Sequence, residues 1–320
     1  MKPIDVVALR AACVDIVLKV PRLPGYDEKL MGSLIGWLPG GTMGNFACAL
    51  SRLGVNVGWS GSLGDDDLGR LVLEDFQRFG VDTKATKILP EQETHFTVVA
   101  VDPTGEKAVI VVHTLKEPPE LASFQKDYVT QAKLLYLAPY DLGFASHVSR
   151  IAKEHQLLVA MDLEDSSPIS SSNIGEILGA IDIAIFNRSG IGALYGEKAI
   201  EAALAGKMSG LEHIVEEVLS YGPELVAITL GKDGCLISDG TDLVVERGFE
   251  VDVVDTTGAG DSFNAALVAG YLWGWDIGSI ASFANAVGAL AVTAYGPRGN
   301  LPTFPEVVEF LAGRGIALPV

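Results

Sequence analysis

The sequence predicts an α/β fold, with a mainly parallel sheet covered by helices on both faces and a small β-lid. Three observations predict it. Short apolar runs alternate with amphipathic stretches along most of the chain, which is the β-α-β rhythm of a parallel sheet. The runs are apolar enough to be buried on both sides. Two segments, 14–38 and 94–113, break the rhythm and read as extra strands outside the main sheet.

The elements follow in order. Asp5–Leu9 reads as a buried strand, Gly44–Leu53 as a helix and Asn56–Ser60 as a strand. Asp66–Phe79 reads as a helix, because Leu68, Leu71, Val72, Asp75 and Phe79 form a mostly apolar stripe. Further strand-like runs are Leu134–Leu137, Leu157–Met161, Ile181–Phe186 and Leu225–Leu230, with helical stretches between them. Val14–Leu38 has no helical period and contains Pro21, Pro24, Gly25, Gly32 and Gly36. Thr94–His113 reads as a hairpin turning at Asp102–Gly105. These two segments are expected to pair as an antiparallel lid. Ser166–Ser172 reads as a loop, and Glu250–Val254 as a strand leading into a helix at Ala259–Trp273.

Composition excludes several classes of function. The 320 residues carry a formal net charge of -18, against any nonspecific role on nucleic acid, whose phosphates need a basic surface. No run of about 18 apolar residues suggests a membrane span. Charged residues interrupt the first apolar stretches, so no signal peptide is expected. Cys13, Cys48 and Cys235 are scattered, which fits reduced thiols in a cytoplasmic protein rather than a disulfide framework. There is no Walker-type P-loop, no GxGxxG after the first strand, no HExxH and no GxSxG. His95 and His113 flank the lid hairpin and read more simply as packed or surface residues than as substrate contacts.

The chemistry concentrates in Asp255-Thr256-Thr257-Gly258-Ala259-Gly260-Asp261-Ser262-Phe263. Two glycines let the backbone turn sharply and approach a ligand. The helix start that follows presents unpaired N–H groups and a positive dipole end, an anion hole for a transferring phosphoryl group. Asp261 at that place is a carboxylate able to accept the proton of an attacking hydroxyl. The plainer alternative is an ordinary strand–turn–helix corner. A second cluster, Gly40-Gly41-Thr42-Met43-Gly44-Asn45-Phe46-Ala47, puts two glycines and an asparagine at another helix start. Its backbone N–H groups and the Asn45 amide suit sugar hydroxyls, and alone it would read as a capped turn.

Together these two strings resemble the paired signatures of the ribokinase-like (PfkB) carbohydrate kinases. DTTGAGDSFNAAL is similar to the C-terminal signature, and the Gly40–Gly54 stretch to the first, with Met43 at a position the family keeps small. The resemblance runs from Asp15 to the Gly296–Pro302 tail. It implies one ribokinase-like domain over 1–320, a three-layer α/β/α sandwich with its β-lid at 14–38 and 94–113. It implies an ATP-dependent kinase acting on a hydroxyl of a small sugar or sugar-like substrate. Asp261 would be the general base, and the Gly258, Ala259 and Gly260 backbone the anion hole. Asp15, Gly40, Gly41 and Asn45 would hold the sugar. Asn187, Thr229, Gly231, Gly234 and Asn285 would line the nucleotide.

The resemblance also implies Mg²⁺, with metal ligands not identified, K⁺ held by backbone oxygens of Asp255–Thr257 and Ala294–Asn300, and a homodimer paired through the lids. Two departures stand out. Arg10 occupies a place where many relatives end the first strand on glycine. Gly190 stands where an Asn-x-x-Glu motif beginning at Asn187 would put its glutamate. Asp162, Glu164, Asp165 and Arg188 are the nearby charged residues that could compensate. These departures keep a second reading open, a sugar or nucleotide sensor on the same scaffold with little turnover. A different α/β nucleotide enzyme is a third.

Overall fold

The computed structural model describes residues 4–103, 106–165, 167–170, 172–196 and 209–319. Eight strands form the main sheet, in the order β14-β13-β12-β11-β10-β9-β1-β4. β1 (Val6–Leu9), β4 (Val57–Ser60), β9 (Leu134–Leu137), β10 (Leu158–Leu163), β11 (Ile183–Asn187) and β12 (Leu225–Thr229) are parallel. Side-chain alternation sorts them into two cores: Val6 and Ala8 enter one face, Val7 and Leu9 the other.

The first face is covered by α1 (Thr42–Arg52), α8 (Ala259–Leu272), α9 (Ile277–Ala291) and α10 (Phe304–Ala312), with Val72 and Phe76 of α2 (Asp67–Phe79). The second is covered by α3 (Ser123–Val129), α4 (Leu142–His155), α5 (Ile174–Leu178), α6 (Arg188–Tyr195) and α7 (Ser209–Ser220). This is the three-layer arrangement expected. Cys13, Cys48 and Cys235 are all free thiols. No helix among the described residues is long and apolar enough to cross a membrane.

Two parts of the main sheet differ from expectation. β13 (Cys235–Ser238) and β14 (Leu243–Glu246) close one edge as an antiparallel hairpin that short apolar runs did not announce. Glu250–Val254 is not a strand. It crosses the end of α9 instead, where Val254 and Asp255 donate backbone N–H groups to the Val292 carbonyl.

The lid is a four-stranded sheet in the order β3-β2-β7-β8. β2 (Cys13–Lys19) pairs antiparallel with β3 (Ser33–Gly40), and β7 (Phe96–Val101) with β8 (Lys107–Val112). The inner strands β2 and β7 run parallel to each other, contrary to the all-antiparallel pairing expected. The reason is connectivity: α1, β4, the short β5 (Ser62–Gly64), α2 and β6 (Lys87–Leu89) intervene, a crossover long enough to restart the second hairpin in the same direction. Residues 104 and 105 of the expected turn, and 166 and 171 of the serine-rich loop, lie outside the described residues.

β1 has β4 on one side and β9 on the other, so the chain reverses its direction of travel across the sheet at β1. Crevices beyond the carboxyl ends of strands at such a switch point are where open α/β sheets bind ligands.

Candidate active site

The start of α8 is built for an anion. Its N-cap, Gly258, has φ 78°, and a Cβ there would lie 2.7 Å from the Pro297 carbonyl oxygen. No side chain caps the helix. The N–H groups of Gly260 and Asp261 therefore lack an intrahelical acceptor, and the positive end of the helix dipole points the same way. Asp255 ties the turn down. Its Oδ1 accepts from the Thr257 N–H at 2.9 Å and the Thr257 hydroxyl at 2.7 Å, and its Oδ2 accepts from the Gly296 N–H at 3.0 Å. The lid reaches this turn: Lys107 Nζ donates to Thr257 Oγ1 at 3.0 Å.

Asp261 sits in the first turn of α8 and is only 8% exposed. Burial pushes its carboxyl up to about 7. The Asn45 amide and Arg298 pull it down, and the negative charges of Glu164 and Asp15 push it up. The Asn45 amide nitrogen donates to Asp261 Oδ2 at 2.7 Å. Arg298 orients Asn45 in turn, with Nε donating to Asn45 Oδ1 at 2.9 Å. The same guanidinium donates to the Gly40 carbonyl at 3.0 Å and pairs with Asp75. A buried line thus runs Asp75–Arg298–Asn45–Asp261.

The expected sugar-side residues converge on the same place. Asp15 accepts from the Thr97 hydroxyl of the neighbouring strand and from Cys13 Sγ at 3.7 Å. Its carboxylate packs on Gly40, where a Cβ would lie 2.3 Å from Oδ2. Gly41 is the N-cap of α1, so Asn45 projects from the first turns of that helix. Across the cleft Tyr140 donates to Glu164 Oε2 at 3.1 Å and lies 3.5 Å from the Thr42 hydroxyl.

The expected nucleotide residues form a second group. Asn187 and Thr229 are register partners at the ends of β11 and β12. Asn187 caps α6, accepting from the Gly190 N–H at 2.7 Å. Gly231 opens a single 3₁₀ turn ending at Asp233, and Gly234 packs against the Glu246 carbonyl. Asn285 donates to the Glu246 and Arg247 carbonyls at 3.3 and 3.2 Å. One turn further along α9, Gly288 lies against the Ala259 carbonyl, which connects this group to the glycine turn.

Residues 4–304 match the profile of the pfkB family carbohydrate kinases. This chain belongs to the pfkB family. It is 32% identical to an ATP-dependent ribose-1-phosphate kinase of Halopiger xanaduensis, covering 94% of this chain and 95% of that one. It is 27% identical to a ribokinase of Bacillus subtilis, covering 96% and 99%. The structure of Arabidopsis thaliana ribokinase complexed with ribose and ATP superposes with a TM-score of 0.83, at 24% identity over 97% of this chain and 98% of that one, a likeness of fold. As a pfkB carbohydrate kinase the protein is a phosphotransferase with the ribokinase-like fold and its lid sheet.

Sequence reasoning missed Arg298 and Asp75, the buried pair that holds Asn45. Asp75 carried a signal, as an acid inside an otherwise apolar helical stripe. It also missed the polar layer beneath Asp261. There Asn264 donates to the Tyr136 hydroxyl at 2.8 Å, and that hydroxyl meets Asp162 at 3.4 Å. Burial, with Glu164 and Asp261 nearby, pushes the Asp162 carboxyl well above its ordinary range.

Gly190 is more than a missing carboxylate in this kinase. A Cβ there would lie 2.2 Å from the Leu163 carbonyl oxygen, a main-chain atom that cannot swing aside. The backbone has closed over the space a glutamate stem needs.

Proposed function

We propose that this kinase transfers the γ-phosphoryl group of ATP to a hydroxyl of a small sugar or sugar-like acceptor, with Asp261 as general base. The observation that carries the reading is Asp261, a buried carboxyl of pKa about 7 at an uncapped helix start, held by Asn45 from the sugar-side helix. The acceptor would lie between the lid and the sheet, held by Asp15, Gly40, Gly41 and Asn45. Asp261 takes the proton of the attacking hydroxyl, a primary one, while the oxygen of that hydroxyl bonds to the γ-phosphorus. The bond to the β-phosphate oxygen breaks and ADP leaves. The Gly258–Asp261 backbone N–H groups receive the charge on the transferring group. Lid closure excludes water and limits ATP hydrolysis. Thr229, Gly231, Gly234, Asn187 and Asn285 would line the nucleotide.

Mg²⁺ would neutralise the phosphates. No group of three metal-binding side chains exists among the described residues. A nucleotide-borne Mg²⁺ takes only about one or two protein carboxylates and completes its shell with phosphate oxygens and water. Glu164, and behind it Asp162, are carboxylates within electrostatic reach of Asp261 and fit that lesser demand. K⁺ would bind carbonyls where Asp255–Thr257 and Ala294–Asn300 meet, a junction supported by the Asp255–Gly296 hydrogen bond. Exposed Leu34, Ile35, Trp37, Val109, Ile110 and Val111 on the lid support pairing of two lids in a homodimer.

The test is MgATP turnover with D-ribose, ribose 1-phosphate, 2-keto-3-deoxygluconate and nucleosides, in K⁺ and in Na⁺, with light scattering for the assembly. Phosphorylation of at least one acceptor is expected. The names of the two relatives make ribose and its 1-phosphate the first to try. Thermal stabilisation by an acceptor without turnover on any would favour the sensor reading, which Gly190 and Arg10 motivate.

A further inference from the structure

Arg10 ends β1 in a conformation that L residues rarely adopt. Its φ is 62°, and that of the next residue, Ala11, is 38°. Two consecutive left-handed non-glycine residues are strained and persist only where the surroundings hold them. What holds them is on both sides. The Arg10 N–H donates to the Ser60 carbonyl at 2.9 Å, and its carbonyl accepts from the Trp59 indole at 2.8 Å.

The Arg10 side chain reaches away from the sheet and is 15% exposed. Its guanidinium lies 3.4 Å from the centre of the Phe144 ring. It pairs with Asp141, the N-cap of α4, at 3.3 Å and with Glu117 at 3.7 Å, and it donates to the Pro118 carbonyl. Glu117 and Pro118 belong to the strand of chain returning from the lid, five residues beyond the end of β8 at Val112. Glu117 also accepts from the Ser62 N–H at 3.1 Å. The entering leg of the same hairpin is clamped likewise: Asp66 accepts from the Thr94 N–H at 2.8 Å and the Thr94 hydroxyl at 2.7 Å. The hairpin is thus fixed to the body at Thr94 and at Glu117.

The other side of the Arg10 turn is the floor of the sugar-side helix. The Ala11 carbonyl accepts from the Gly44 N–H at 3.4 Å. Gly41, with φ 84°, packs so closely on this turn that a Cβ would lie 2.4 Å from the Ala11 oxygen and 2.8 Å from the Ala12 Cα. A shift of the Arg10 turn is therefore transmitted to Gly41 and Gly44 by contact.

We propose that Arg10 is a positioning residue that couples the lid's return leg to the turn beneath Gly41–Asn45, so that lid position and acceptor-site geometry change together. A glycine at this place would allow the turn without strain but would leave the return leg unclamped. The coupling stands on these contacts alone. Its consequence for turnover rests on reading residues 40–45 as the acceptor side.

The test uses the whole protein and needs no substrate. Amide hydrogen exchange is measured on the wild type, Arg10→Met and Arg10→Gly. Met keeps the left-handed backbone and removes the guanidinium; Gly also relieves the strain. In both variants exchange should accelerate at least about fivefold at 113–117 and at 41–45, with α9 (277–291) unchanged. Arg10→Lys should recover only part, since an ammonium cannot meet Glu117, Asp141 and the Pro118 carbonyl with one planar group. Acceleration at 113–117 alone, at neither segment, or equally in α9 overturns the proposal. With D-ribose or ribose 1-phosphate and MgATP, the acceptor KM should rise several-fold while the ATP KM stays within about twofold. A wild type that turns over neither acceptor counts against ribose and its 1-phosphate as acceptors, and the exchange result still decides the coupling.

Discussion

Asn45 and Asp261 lie on different helices and 216 positions apart, and they share one buried hydrogen bond of 2.7 Å. Asn45 belongs to α1 and Asp261 to the first turn of α8, behind the glycine turn. The bond favours the charged carboxylate, while burial opposes it more strongly. The balance leaves Asp261 at about 7, where a base at neutral pH is both free and strong.

Asp261→Asn should fold and bind nucleotide but lose turnover by about 10²-fold or more. In the wild type, kcat/KM should rise with pH through about 7 and then level. The stability sign is the reverse. The folded-state pKa is above the unfolded one, so Asp261 contributes stability below about 4 that is lost as pH rises through about 7. Thermal unfolding of Asp261→Asn should be flatter across that window. Near-wild-type turnover in this variant would exclude the base assignment.

Asn45→Ala removes the donor that favours the Asp261 carboxylate. A hydrogen bond to a charged group contributes about 1.5–3 kcal/mol, so the rising limb of the pH–rate profile should move up by about one unit or more. Turnover near pH 7 should fall accordingly and recover partly at higher pH. An unmoved limb would mean that water replaces the amide.

Arg298 and Asp75 expose only 4% and 7% of their side chains. Asp75→Ala leaves a buried guanidinium without its counter-charge and should cost about 3–5 kcal/mol by denaturant titration. Asp75→Leu combined with Arg298→Met should regain much of that stability. It should not regain turnover, because Asn45 then lacks the Nε donor that orients it. Recovery of both would make the pair structural only.

Gly190→Glu, which restores the motif residue of the family, should not lower the Mg²⁺ concentration for half-maximal rate. Overpacking against the Leu163 carbonyl should instead destabilise by about 1–3 kcal/mol. A stable variant with a lower Mg²⁺ requirement would show that the backbone yields there.

Short, almost wholly apolar runs alternating with amphipathic stretches made most of the parallel sheet legible, because burial on both faces leaves a compositional trace. That Asp261 and Asn45 would lie together was legible through their glycine-flanked motifs, while Asp15 was singled out only by its place in the family resemblance. Arg298 was not. A charge between two glycines reads as loop surface until the fold brings Asp75 to it from 223 positions away. The β13–β14 hairpin was missed because four-residue strands at an edge show too little alternation. Glu250–Val254 was misread for the opposite reason: β-branched residues are abundant, but the end of the run bonds the Val292 carbonyl at the end of α9 rather than a strand.

The parallel pairing of β2 with β7 has a further consequence for exchange of parts between kinases. Partners such as Asp15 and Thr97 meet only when the crossover through α1 and α2 has carried the chain back to the same edge. The lid is therefore not a cassette. No single cut and splice removes it, and a transplanted hairpin arrives with half of its sheet missing. A graft that carries a new acceptor preference has to bring both hairpins, and a recipient whose body returns the chain at the same point and in the same direction.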